Sequence, residues 1–349
     1  AADPTAVEPT LADSFNTVTY SGNSTNNRDI TSVGFQPDFV WIKSRTPDAA
    51  EGISYHALFD SVRSGYALRS NTTEAESTTT YQGYVKEYLS NGFKLGAGSS
   101  GSFPYFDTNR SGMNYVAWNW KGAEIPAINS NGSIKSVVSA NPAAGFSIVS
   151  YTGNNSISTV GHGLNNTPKI IIAKIRTAVD NWVVYSETVG INKTLILNST
   201  GGPADIPGFW GTSFPTTTVF GTSANTQNNK NGQAMIAYCF AEVAGFSKFG
   251  SYAGNGSATG PTITTDFEPA FVMVKRIDST GNWWIMDNKR SPTNGRNDIL
   301  AANLSNAEAA GGSTEFVDFN PTNFQLTNAN AEFNASGGTY IYMAFANQF

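Results

Sequence analysis

The tetrad Tyr20-Ser21-Gly22-Asn23 returns as Tyr151-Thr152-Gly153-Asn154 and again as Tyr252-Ala253-Gly254-Asn255. From each tyrosine a proline follows 17 positions on (Pro37, Pro168, Pro269) and a lysine 23 positions on (Lys43, Lys174, Lys275). Between them runs an apolar stretch: Phe39-Val40-Trp41-Ile42, Ile170-Ile171-Ile172-Ala173 and Phe271-Val272-Met273-Val274. Each copy closes on another, Tyr115-Val116-Ala117-Trp118, Met235-Ile236-Ala237-Tyr238 and Tyr340-Ile341-Tyr342-Met343. Equal spacings in tandem define a triplicated unit, and 349 residues leave room for three units of roughly 100, each able to bury a core. The expected organisation is an N-terminal arm (1–14), module A (15–121), a linker (122–145), module B (146–243) and module C (246–349).

Local patterns point to strands. Phe15-Asn16-Thr17-Val18-Thr19-Tyr20 alternates apolar and polar, as a half-buried strand does, and B and C open alike at Phe146 and Phe246. The Gly-Asn pair that follows reads as a turn, since both residues tolerate positive φ. The apolar run ending in each lysine implies burial on both faces, and an aromatic strand follows at Tyr55–Phe59, Trp182–Tyr185 and Trp283–Met286. Ser90-Asn91-Gly92-Phe93 and Thr322-Asn323-Phe324 are hairpin signals. With 34 Gly, 15 Pro and only 13% charged residues, the chain suits many short strands. The expected fold is all-β: three tandem β-sandwich modules of jelly-roll or concanavalin-like type. In the linker, Ser133–Val138 reads as an extra strand. The short B–C junction should hold those modules rigidly, leaving A freer.

Several classes of function are disfavoured. Net charge is −5 with no run of Lys or Arg, which argues against nucleic acid. No stretch of about 18 apolar residues is present, so no membrane insertion is expected, and Ala1–Asp13 does not read as a signal peptide. Cys239 lies in an apolar run and reads as a small buried hydrophobe. The two histidines, His56 and His162, occupy different module positions and cannot supply a ligand cluster, so no metal and no cofactor is expected. Asp60, Glu74 and Glu76 could be weighed as a glycosidase pair, but B lacks the matching acids and reads Gly201-Gly202, so loop acids are the simpler account. No catalytic residue is assigned. The residues expected to meet a receptor are His162, in the turn Gly161-His162-Gly163, and Trp283 or Trp284, only one of which can face inward.

The stretches Gly34-Phe35-Gln36-Pro37-Asp38-Phe39-Val40-Trp41-Ile42-Lys43, His56-Ala57-Leu58-Phe59-Asp60-Ser61-Val62-Arg63 and Val116-Ala117-Trp118-Asn119-Trp120-Lys121 resemble the first module of repeat-containing structural proteins of tailed bacteriophages, notably marine phages and cyanophages. Ala144–Asn154 and Val160-Gly161-His162-Gly163-Leu164 resemble their second. Module C departs from the pattern, lacking both Trp-x-Trp-Lys and Gly-His-Gly. The resemblance implies a non-enzymatic virion surface protein: a tail fibre or accessory fibre that attaches to a host-surface glycan or protein. The alternatives are a capsid decoration protein or head fibre anchored by the arm, and a polysaccharide depolymerase. Its partners would be other virion proteins. Two assemblies are open, a string of modules forming a homotrimer and a single chain closed around a pseudo-threefold axis. Likeness to fibres favours the string.

Overall fold

The computed structural model describes residues 14–46, 54–63, 65–77, 79–310 and 316–346. Within segment A, four antiparallel strands lie side by side: the opening strand Phe15–Ser21, the closing strand Asn114–Trp120, the lysine strand Phe39–Ser44 and the aromatic strand His56–Asp60. Segment B repeats the order with Phe146–Thr152, Ala234–Ala241, Pro168–Ile175 and Val183–Ser186, and segment C with Ser247–Ala253, Thr339–Ala346, Pro269–Arg276 and Trp283–Asp287. Opening and closing strands pair directly, Tyr20 opposite Tyr115 and Tyr252 opposite Tyr340, which brings the ends of each segment together. The protein is all-β; the one helix among the described residues is the single turn Ala331–Asn334.

A small sheet faces each large one. In A it comprises Arg28–Ile30, Gly92–Gly96 and Tyr84–Leu89, and in C Thr262–Thr264, Asn323–Leu326 and Val317–Asn320. The expected hairpins are the last two strands of each. Segment B keeps two strands here, Ser158–Gly161 and Val219–Thr222.

Side chains alternate across a strand, so the lysine strand serves two cores at once. Val40 and Ile42 point into the sandwich of A, against Ile30, Phe93 and Leu95. Phe39 and Trp41 point the other way, into a cluster shared with Ile170, Ile172 and Phe240 of B and Phe271, Met273 and Phe345 of C. Phe39 stacks on Tyr238 at 4.2 Å, Phe15 on Phe345 at 5.3 Å, and Trp120 meets Phe271 edge-on at 5.8 Å. The lysine strand is thus buried on both faces as expected, but its second cover comes from the other segments. The strung arrangement is therefore overturned. It would return Phe39, Trp41, Trp118 and Trp120 to water, at a cost of roughly 1.5–3 kcal/mol for each large apolar side chain.

The linker corrects a second expectation. Its strand runs Ser136–Asn141 rather than Ser133–Val138, pairs with the opening strand of B, and carries Ala127–Asn129 on its far side. The Gly122 amide donates to Asp38 Oδ2 at 2.9 Å and the Ala123 amide to Ser139 Oγ at 2.9 Å. The first bond fastens the linker to A and the second folds it onto its own strand, so the junction is packed rather than loose. The arm expected as an anchor lies outside the described residues, apart from Ser14.

Candidate functional site

The repeated tetrad is a structural clasp. The tyrosine hydroxyl donates to a carbonyl near the end of its own segment: Tyr20 to Thr108 (2.7 Å), Tyr151 to Asn228 (2.5 Å), Tyr252 to Phe333 (2.8 Å). The tetrad asparagine exchanges amide hydrogen bonds with a buried asparagine one residue further on, Asn23 with Asn109, Asn154 with Asn229 and Asn255 with Asn334. The glycine is needed for closeness, not for φ. A Cβ on Gly22, Gly153 or Gly254 would strike the carbonyl of Arg110, Lys230 or Ala335. Positive φ falls on the residue after the tetrad, Ser24 (54°), Asn155 (53°) and Gly256 (65°), correcting the turn expected at Gly-Asn.

Where segments meet, equivalent atoms make equivalent bonds in a closed cycle. Trp182 Nε1 of B donates to the Arg69 carbonyl of A (2.8 Å), and Trp283 Nε1 of C to the Ile196 carbonyl of B (3.0 Å). His56 of A completes the cycle. Its Nδ1 accepts from Trp41 Nε1 (2.8 Å), so Nε2 carries the proton and donates to the Ala301 carbonyl of C (3.0 Å). A second cycle runs through backbone amides: Asp180 to Thr73 (2.9 Å), Gly281 to Thr200 (2.9 Å) and Ser54 to Ser305 (3.0 Å).

Two of the three seams add a buried ion network. At A–B, Arg63 Nε binds Asp60 Oδ2 (2.6 Å), Arg63 Nη1 binds Glu76 (2.9 Å), Arg176 binds Glu76 from B (2.7 Å), and the Tyr238 hydroxyl donates to Asp60 (2.7 Å). At A–C the same pattern is built from Arg290, Asp287, Glu308 and Arg45, with Trp118 Nε1 donating to Asp287 (3.0 Å). Asp60 and Glu76, weighed as catalytic acids, are held in this network.

Of the three residues expected at a receptor surface, His162 and Trp283 are buried and Trp284 is half-buried. His162 is buried: Leu164 N donates to its Nδ1 (3.2 Å), Nε2 faces the Thr216 carbonyl (3.2 Å), and burial lowers its pKa to about 4. Gly161 and Gly163 explain the misreading, because they let the turn pack beneath Asn129 and Val138. Trp283 is the inward member of its pair, occupied in the cycle above. Trp284 is half-buried, donating to Glu332 (2.7 Å) and lying against Phe333 at 5.7 Å. The repeat lysines are equally inaccessible. Each ammonium bonds the next residue's carbonyl, and burial lowers Lys43 to about 7 and Lys174 and Lys275 to about 8.

An open cleft of about 610 Å³ lies at the A–B seam, lined by Tyr55, Arg69, Glu74, Tyr81, Gln82, Asp107 and Val179 among others. Arg69 lies over the Tyr55 ring at 4.0 Å and bonds Glu74 (3.2 Å), Asp107 (3.0 Å) and Gln82. Sequence reading singled out only Glu74 and Glu76 here, as loop acids, because the site gathers residues from loops far apart in A together with Val179 of B. Among the described residues no cluster of His, Cys, Asp or Glu could hold a metal ion, and no helix is long and apolar enough to cross a membrane.

These features define a class: an all-β protein whose repeated sheets back onto one shared aromatic core. The chain belongs to the family described as a domain of unknown function (DUF7483), which it matches over residues 10–348, across all three segments. No curated protein and no solved structure matches it.

Proposed function

We propose that the chain is a non-enzymatic surface protein of a tailed-phage virion, carried as one closed body and contacting the host envelope. The motif resemblance supplies the virion setting. The observation that carries the assembly is the pair of hydrogen-bond cycles, in which each segment gives its neighbour a ring N–H donor and a backbone amide at matching positions. A chain with that internal cycle presents three similar faces, which suits a threefold or quasi-threefold position on a particle. Capsid decoration or a head fibre therefore takes precedence over a trimerised tail fibre.

The experiment is particle reconstruction combined with solution mass. Density for one chain at a threefold or quasi-threefold position, and a light-scattering mass near 37.2 kDa, are expected. Density on the tail with a threefold larger mass would return the reading to a fibre.

A further inference from the structure

We infer that the A–B cleft is a saccharide-binding site for uncharged sugars. Its size lies within the range of small-ligand sites, which favour boundaries between packed units. Two of the few exposed large apolar side chains among the described residues line it, Tyr81 (54% exposed) from A and Val179 (71%) from B. Between them lie polar groups with bonding capacity to spare. Gln82 uses its carbonyl oxygen on Arg69, leaving the amide free to donate, and Glu74 uses only Oε2. An exposed ring for a sugar's C–H face, beside a free amide and a free carboxylate oxygen for its hydroxyls, matches the amphipathic surface of a hexose.

Charge narrows the class. One guanidinium faces Glu74 and Asp107, while Glu76 is neutralised by Arg63 and Arg176. The lining carries no surplus cation for a uronate or sialate, so neutral glycans are selected over acidic ones. The rim is held before any ligand arrives. Gly83 N bonds the Thr80 carbonyl (3.1 Å), Ser100 N bonds that of Tyr81 (2.9 Å), and Gly98 sits so close that a Cβ would strike both carbonyls. Such fixed rims reduce the ordering cost of binding.

This inference rests on the host-contact reading, and its test is separate from particle location. The purified full chain is applied to an array of neutral, amino and acidic oligosaccharides, and neutral hits are titrated calorimetrically against Tyr81→Ala, Gln82→Ala and Tyr81→Phe. Binding of neutral glycans, weakened at least tenfold by the alanine variants and retained by Tyr81→Phe, is expected. Thermal melts matching the parent show that a variant is folded. No neutral glycan bound, a preference for acidic or amino sugars, or binding indifferent to Tyr81→Ala overturns the site. Chain density at a capsid threefold alongside a negative array would remove the saccharide site and leave the virion reading intact.

Discussion

The A–B and A–C seams are laced with charge, and among the described residues the B–C seam is not. Where A has Asp60, Arg63 and Glu76, segment B carries Ser186, Val189 and Pro203 at the matching positions. The residues that would answer them from C have changed too: Met343 stands where B has Tyr238 and A has Trp118, and Ile277 where B has Arg176 and A has Arg45. These positions differ as a set because a partly built ion network is worse than none. A buried charge that loses its partner keeps the desolvation penalty, whereas a fully apolar replacement carries none. The B–C seam keeps both hydrogen-bond cycles and adds one bond of its own, from Lys275 Nζ to the Thr200 carbonyl at 3.0 Å.

The contrast can be broken by mutation, beginning with its largest consequence. Arg63→Ala and Arg290→Ala should each cost about 3–5 kcal/mol, since each leaves a fully buried aspartate without its arginine and takes one of two arginines from the glutamate beside it. Ser186→Ala and Val189→Ala at the equivalent B–C seam should cost markedly less. Denaturant melts compare the two sets, and equal losses would end the distinction between seams.

Next is the shared core itself. Ile172→Ala removes a buried side chain from the face of B that meets A and C, and a loss of about 2–4 kcal/mol is expected. A loss under about 0.5 kcal/mol, the scale of a surface change, would mean the segments do not pack face to face.

A single bond of the cycle should matter less. Trp283→Phe keeps the aromatic bulk and deletes the donor to Ile196, whose carbonyl keeps only its turn bond from Ser199 N at 3.3 Å, and a loss of about 0.5–1.5 kcal/mol is expected. Trp182→Phe should match it within error if the cycle is symmetric, as chemical melts of both variants would reveal.

Smallest at neutral pH is Lys275→Met, where the lost bonds are offset by removing a buried charge. Its signature is the pH profile. The folded Lys275 has its pKa lowered to about 8, so between there and about 10.5 the unfolded chain holds more proton and stability rises with pH. Tyr20, Tyr151 and Tyr252, raised by burial, oppose this only above about 10. Melts from pH 7 to 10 should therefore climb in the parent and climb less in Lys275→Met; parallel profiles would show that this amine does not titrate differently on folding.

Much of the fold was legible because strand periodicity and turn chemistry are local. The apolar runs before Lys43, Lys174 and Lys275 announced strands covered on both faces, and Asn91-Gly92 announced a hairpin. The candidate site was less so. His56 and Trp283 share no residue type, yet both stand opposite a repeat lysine and donate across a seam. Their equivalence shows only in strand pairing, because segment A carries extra residues ahead of His56. The aromatic pair Trp283-Trp284 suggested exposure, but Trp283 meets a carbonyl of another segment, and a carbonyl has no signature in residue type.

The sequence by itself determined the repeat, the all-β class, the clasp residues of each tetrad and the apolar outer face of each large sheet. Tertiary structure alone decided what covers that face. Hydrophobic burial is non-directional, so a sheet presenting Phe39 and Trp41 is equally served by a copy from another chain or by its own neighbours. The choice among them is made by directional bonds to backbone carbonyls, and by whether five side chains on two segments agree in charge. Neither can be read until the segments are placed side by side.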